Sequence, residues 1–227
     1  MIAQNYKIVE DKIAERCIKS GRNRSDITLI GVSKTQPNDK IIEAFNSGII
    51  HFGENKAQEL NRKSSEITEN LIWHFIGHLQ TNKVKYVINS AEFIHAVESI
   101  KLAEEINKRA EKIEKIQKVM LEVNTSLEGS KFGLIEEEEI FKVAEFCKNS
   151  SNLELVGLMT MAPYTDDEPV IRECFSKLRK RFESLNNHGF GLKELSMGMT
   201  NDFEIAIEEG ATMLRVGTAL FGERNYS

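Results

Sequence analysis

Residues 27–34 read ITLIGVSK, a β-branched and aliphatic run that stops abruptly at serine and lysine. A short run apolar on both alternating faces fits a strand buried on both sides, as in a parallel sheet. Seven further runs share this character: 51–55 (HFGEN), 73–77 (WHFIG), 92–97 (EFIHAV), 119–124 (VMLEVN), 155–160 (LVGLMT), 194–199 (ELSMGM) and 213–221 (MLRVGTALF). Between them, apolar residues recur at three- and four-residue spacing over 38–47, 56–67, 81–89, 100–116, 136–148, 168–186 and 202–209, which predicts a helix in each interval. One more helix, over 3–19, precedes the first strand. This βα rhythm predicts an α/β fold. Eight parallel strands fit an open doubly wound sheet or a closed (β/α)8 TIM barrel, and only the barrel leaves no edges, so a barrel with an extra N-terminal helix is the expectation.

The 227 residues carry 30 Lys+Arg against 35 Asp+Glu, a formal net charge of −5, with a hydrophobic fraction of 41% and 3 prolines. That composition is globular, and no Gly/Ser-rich linker or change of composition divides it, so a single domain over 1–227 is expected. A mildly acidic chain lacks the concentrated positive field that nucleic acid requires. The charged N-terminus, MIAQNYKIVEDKIAERC, has no apolar signal core, and no run is long enough to span a bilayer, so no membrane partner and a cytoplasmic location are expected. Cys17, Cys147 and Cys174 are far apart, with no CxxC pair and no metal spacing, and read as reduced packing residues.

In a barrel, the chemistry collects where the strands end and the βα loops converge. Lys34 closes the first run; it is either a lysine snorkelling to solvent or an amine deprived of hydration and able to attack a carbonyl. Gly53-Glu54-Asn55, Gly77-His78 and Asn124-Thr125-Ser126 reach the same rim, as turn and cap residues or as a polar lining. Ser196-Met197-Gly198-Met199-Thr200 and Arg215-Val216-Gly217-Thr218 supply glycines and hydroxyls where barrels frequently hold phosphate, although glycines there also serve close helix packing. A reactive lysine facing a phosphate cup suits a ligand with both a carbonyl and a phosphate: pyridoxal 5′-phosphate (PLP) or a sugar phosphate.

Seven stretches resemble the YggS/PROSC family of pyridoxal phosphate homeostasis proteins, in the family's order: 29–35 (LIGVSKT), 51–59 (HFGENKAQE), 73–83 (WHFIGHLQTNK), 123–133 (VNTSLEGSKFG), 156–163 (VGLMTMAP), 195–206 (LSMGMTNDFEIA) and 214–226 (LRVGTALFGERNY). The resemblance implies a fold-type III PLP-binding barrel, similar to the N-terminal domain of alanine racemase. It implies that Lys34 is the Schiff-base lysine, that Ser196, Thr200, Gly217 and Thr218 hold the phosphate, and that Arg215 faces the pyridine nitrogen. Asn55, His78 and Met199 are implied along the cofactor's faces. Thr200 stands where the family motif usually has serine, which keeps a hydroxyl. Lys131 is either a second amine for imine exchange or a solvated loop lysine.

The resemblance further implies a role in holding PLP and keeping amino acids in balance, with hand-over to PLP-dependent apo-enzymes and a monomeric state as the default. An arginine opposite the ring nitrogen donates a hydrogen bond but cannot leave that nitrogen protonated, which weakens the ring as an electron sink. The racemase's second domain, which supplies an opposing base, has no counterpart expected before Ser227, and Tyr164 is the tyrosine expected in a rim loop. A carrier is therefore the main reading. A small amino-acid racemase is the alternative, and a class I aldolase using Lys34 is a third.

Overall fold

In the computed structural model, which describes residues 1–126 and 132–222, eight parallel strands close into a barrel in chain order. They are β1 (Thr28–Val32), β2 (His51–Glu54), β3 (Ile72–Phe75), β4 (Phe93–Val97), β5 (Gln117–Glu122), β6 (Leu153–Met159), β7 (Glu194–Ser196) and β8 (Met213–Val216), and β8 returns to pair with β1. The helices are α1 (Ile2–Lys19), α2 (Asn38–Asn46), α3 (Ala57–Glu66), α4 (Val84–Val87), α5 (Ile100–Glu111), α6 (Glu137–Asn149), α7 (Glu168–Asn187), α8 (Phe203–Glu208) and α9 (Thr218–Phe221). The expected barrel and its additional N-terminal helix are both present. α1 buries Ile2, Val9, Ile13 and Cys17, one stripe of the helix, and Arg16 pairs with Glu204 and Glu208 to tie it to α8.

Several boundaries depart from the sequence pattern; β7, for one, stops at Ser196, three residues short of the expected 194–199. The run 213–221 is a strand only to Val216; Gly217 (φ −116°, ψ −77°) turns the chain into α9, because a four-residue apolar stretch such as TALF satisfies either period. The helix expected over 81–89 splits into a 3₁₀ turn at Thr81–Lys83 and α4. The helix expected over 100–116 ends at Glu111: Glu114 takes a left-handed φ of 53°, and the Lys115 ammonium donates to the Ile88 and Ala91 carbonyls, drawing the chain back to the barrel.

Strand alternation sorts the side chains into two cores. Phe52, Trp73, Phe75, Leu121 and Leu158 join the large core that includes the buried helix residues. Ile30, Met120 and Met213, with Phe93 and Val156 against them, form a smaller separate cluster inside the barrel. A barrel interior is ordinarily filled by branched aliphatic residues throughout. Here His74, His95, Ser196 and Arg215 are also buried on the strands, each at most 4% exposed.

Candidate functional site

The inward set on β1 is Ile30, Val32 and, two residues further, Lys34. Lys34 therefore points into a cavity of about 430 Å³ at the ends of the strands, within the size range of small-molecule sites. The turn that carries it is held from outside the barrel. Lys63, on the buried stripe of α3 and itself 0% exposed, donates to the Ser33 carbonyl (2.8 Å) and pairs with Glu54 (2.8 Å) and Glu59 (2.8 Å). Ser33 Oγ donates to Glu54 (2.6 Å), and the Thr35 amide donates to Glu59 (2.8 Å). Thr35 sits at φ 65°, a left-handed conformation that a β-branched residue adopts only when its surroundings over-determine it. Burial pushes the Glu54 carboxyl up. At Glu59 burial acts the same way, but the Lys63 and Thr35 donors outweigh it and hold that carboxyl down.

Arg215 forms the cavity's charged floor. Its Nη1 donates to Ser196 Oγ (2.7 Å), its Nη2 to the Thr160 carbonyl (2.8 Å), and its backbone N–H to the Gly198 carbonyl (2.9 Å). Burial pulls the guanidinium down to about 10, against the attraction of Asp202 and Glu122, so it remains a cation at neutral pH. Gly198 has φ +94°, and a Cβ there would meet the Ala206 Cβ at 2.6 Å; no other residue lets the loop after β7 turn so tightly over α8.

Met199 and Thr200 line the cavity from that loop, Gly217 and Thr218 from the entry to α9, and Asn55 and His78 from the ends of β2 and β3. Gly77 makes the last pair possible, since a Cβ there would meet the Asn55 carbonyl oxygen at 2.3 Å. His78 stacks on Phe132 (ring centroids 3.7 Å apart) and lies 3.2 Å from Glu98. Eight of the nine expected residues thus line one cavity. Ser196 does not: it is fully buried beneath the cavity, with its hydroxyl taken by Arg215 and His95. Lys131 lies outside the described residues.

Glu122 belongs to the site although the sequence reading passed over it. It ends β5 on the inward face and is 4% exposed, and its Oε2 has no hydrogen-bond partner among the described residues. Burial first, and then repulsion from Glu98, push it up to about 7 in spite of Arg215. A carboxylate inside the otherwise apolar stretch VMLEV, residues 119–123, was the available signal. A larger depression of about 650 Å³ beside α7 is lined by Glu168, Arg172, Arg179 and Glu209, whose charges are already paired with one another or with Glu208. The mouth cavity combines an amine, a buried cation and hydroxyl donors, a set whose chemistry suits an anionic carbonyl compound.

The family described as alanine racemase, N-terminal domain, matches residues 18–225. The pyridoxal phosphate homeostasis protein of Aquifex aeolicus (strain VF5) is 43% identical over 220 residues, covering 96% of each chain. The chain belongs to the pyridoxal phosphate homeostasis protein family. The family's Escherichia coli (strain K12) member is 36% identical, covering 100% of this chain and 98% of its own. The structure of PipY of Synechococcus elongatus PCC7942 with PLP bound superposes with a TM-score of 0.81 at 34% identity, covering 92% of this chain and 100% of PipY. Alanine racemase from Corynebacterium glutamicum matches with a TM-score of 0.78 at 16% identity, covering 98% of this chain and 61% of the racemase, a likeness of fold alone.

Proposed function

We propose that this chain binds PLP reversibly in the mouth cavity and serves to hold and release the cofactor. The observation that carries the reading is the convergence on one cavity of the Lys34 amine, the buried Arg215 guanidinium, and the hydroxyl and glycine positions Thr200, Gly217 and Thr218. The family and the PLP-bound relative PipY support it. The donor set fits the molecule: an aldehyde for the amine, a ring nitrogen for the guanidinium, and a phosphate for the rim. The unpartnered Glu122 oxygen leaves one further polar position for a ligand group.

In this reading Lys34 Nζ holds the formyl carbon as a Schiff base, while Thr200, Gly217 and Thr218 hold the phosphate. Arg215 keeps its proton and donates to the ring nitrogen, and Asn55, His78 and Met199 flank the ring. Ser196 acts through Arg215 and does not itself reach the ligand. Bound PLP supplies an aldehyde for exchange with amines and a ring that withdraws electrons. Arg215 limits the second capacity, because a guanidinium does not give up its proton to the ring. Tyr164, at the cavity edge, is 95% exposed, so its hydroxyl is solvated and not braced against a substrate carbon.

The same reading takes residues 1–227 as one binding unit, working in the cytosol as a monomer and passing PLP to apo-enzymes. Its three cysteines are buried as thiols, and no helix of the described residues is long and apolar enough to cross a membrane. The test is a PLP titration of the purified protein followed by absorbance, beside Lys34→Ala. A saturable imine band that the variant lacks supports the reading, and an unchanged band in the variant overturns it. Chiral conversion of alanine and serine, assayed with PLP present, is expected to be no faster than with free PLP; robust rates would replace the carrier with a racemase.

A further inference from the structure

Three histidines run through the barrel interior in single file. His51 Nδ1 lies 2.9 Å from His74 Nε2, His74 Nδ1 lies 2.9 Å from His95 Nε2, and His95 Nδ1 lies 2.9 Å from Ser196 Oγ. Ser196 Oγ in turn accepts from Arg215 Nη1 at 2.7 Å. The staircase follows from the register of the tilted strands: His74 is level with Gly53, two residues beyond His51 on β2, and His95 stands two residues beyond Phe93, the partner of His74 on β4. His74 and His95 are 0% exposed. His51 is half-buried and lines a small cavity with Tyr6, Glu10 and Arg24.

Arg215 can only donate, and Ser196 Oγ, with two lone pairs but a single proton, has His95 Nδ1 as the one acceptor for that proton among the described hydrogen bonds, which gives the chain one direction. With Arg215 donating to Ser196 Oγ, the hydroxyl proton goes to His95 Nδ1. His95 then carries its proton on Nε2 and donates to His74 Nδ1, and His74 Nε2–H donates to His51 Nδ1. Every imidazole is neutral in this arrangement, because an imidazolium has no acceptor and would face a neighbour's N–H. Burial, together with the positive charge of Arg215 at His95 and the neighbouring His95, His51 and Lys118 at His74, holds both groups well below the usual histidine range.

We propose that His51, His74 and His95 are positioning residues, which with Ser196 form a hydrogen-bond chain of fixed direction that holds the Arg215 guanidinium in the cavity floor. The consequence for the ligand rests on the PLP reading above: the chain sets the angle and the charge that the ring nitrogen meets. It does not conduct protons to that nitrogen, because Arg215 does not release a proton to pass on, and reversing the chain would leave the Ser196 proton without an acceptor.

The first test needs no cofactor. In nitrogen-15 NMR spectra of the ligand-free full chain from pH 5.5 to 8, His74 and His95 are expected as neutral Nε2–H tautomers throughout. An Nδ1–H tautomer or an imidazolium at either position overturns the chain, whatever the protein does with PLP. The second test compares His74→Gln with His74→Phe. Glutamine offers one acceptor and one donor, so it restores the direction, whereas phenylalanine keeps the ring stacked on Phe93 (4.6 Å between centroids) and breaks the chain. PLP affinity is expected to fall about tenfold or more in His74→Phe and to stay within about threefold in His74→Gln, with the absorbance maximum of the bound form moved only in the former, in line with the effects of removing groups that orient a ligand-binding side chain. A space-filling role predicts the opposite order, and that order would refute the proposal. If wild-type protein fails to bind PLP, the functional reading falls, while the tautomers still decide the chain.

Discussion

Replacing Glu122 by glutamine isolates one buried charge and gives a slope that can be measured. Glu122 is 4% exposed, and its carboxyl moves from the usual 4.5 to about 7, first by burial and then by Glu98, with Arg215 opposing. Each tenfold change in proton affinity is worth about 1.4 kcal/mol, so holding the charged form in the folded chain costs on the order of 3 kcal/mol. The sign follows from proton counting. Between pH 4.5 and 7 the folded state keeps a proton that the unfolded state has released, so this residue's contribution is fully present below 4.5 and is lost as the pH rises through 7. Glutamine is nearly isosteric with the protonated acid and cannot ionise. Urea unfolding of the cofactor-free protein at a series of pH values should show the two proteins equal within about 1 kcal/mol near pH 4.5. The variant should become more stable by roughly 3 kcal/mol at pH 8, with most of the change between pH 5 and 7.5 and unchanged m-values. A difference that does not vary with pH, or a wild type that gains on the variant as the pH rises, would refute the reasoning.

Lys63→Met strands Glu54 without its cation and removes the donor that holds the Ser33 carbonyl; urea unfolding at neutral pH should show a loss of roughly 3–5 kcal/mol. Because burial already raises Glu54, that loss should shrink towards acidic pH as the carboxyl takes up a proton, and a loss that grows there would contradict the assignment. Gly198→Ala forces a Cβ to within 2.6 Å of Ala206 at a φ of +94°. It should cost about 2 kcal/mol or more and lower Tm by roughly 4–8 °C, checked by thermal unfolding, and an unchanged Tm would show that the loop after β7 has room.

The barrel was legible because most strands are short, largely apolar runs and the longer helices have an apolar stripe, two periods that seldom imitate one another. Where they do, as at Thr218–Phe221, a four-residue stretch fits either period, and the pattern extends the strand too far. Lys34, Thr200, Arg215 and Gly217 were legible because chemistry-bearing residues stood at strand ends. What lay deeper was not. Lys63 falls on the stripe of α3 with Ala57 and Leu60, yet a lysine there reads as solvated until its partners Glu54 and Glu59 are seen. His51, His74 and His95 each sat inside a strand candidate, but only the register between strands brings them into line. The family resemblance puts Ser196 among the phosphate-holding hydroxyls; it does end β7, but its side chain is buried under the floor, where Arg215 and His95 take the hydroxyl.

The central claim is a covalent linkage at one amine. Borohydride reduction of the protein loaded with PLP, followed by peptide mapping, tests it most directly. The account predicts a single stable pyridoxyl adduct on the peptide that carries Lys34, absent when phosphate-free buffer without PLP is used throughout. An adduct centred on another lysine, with the Lys34 peptide unmodified, would contradict it.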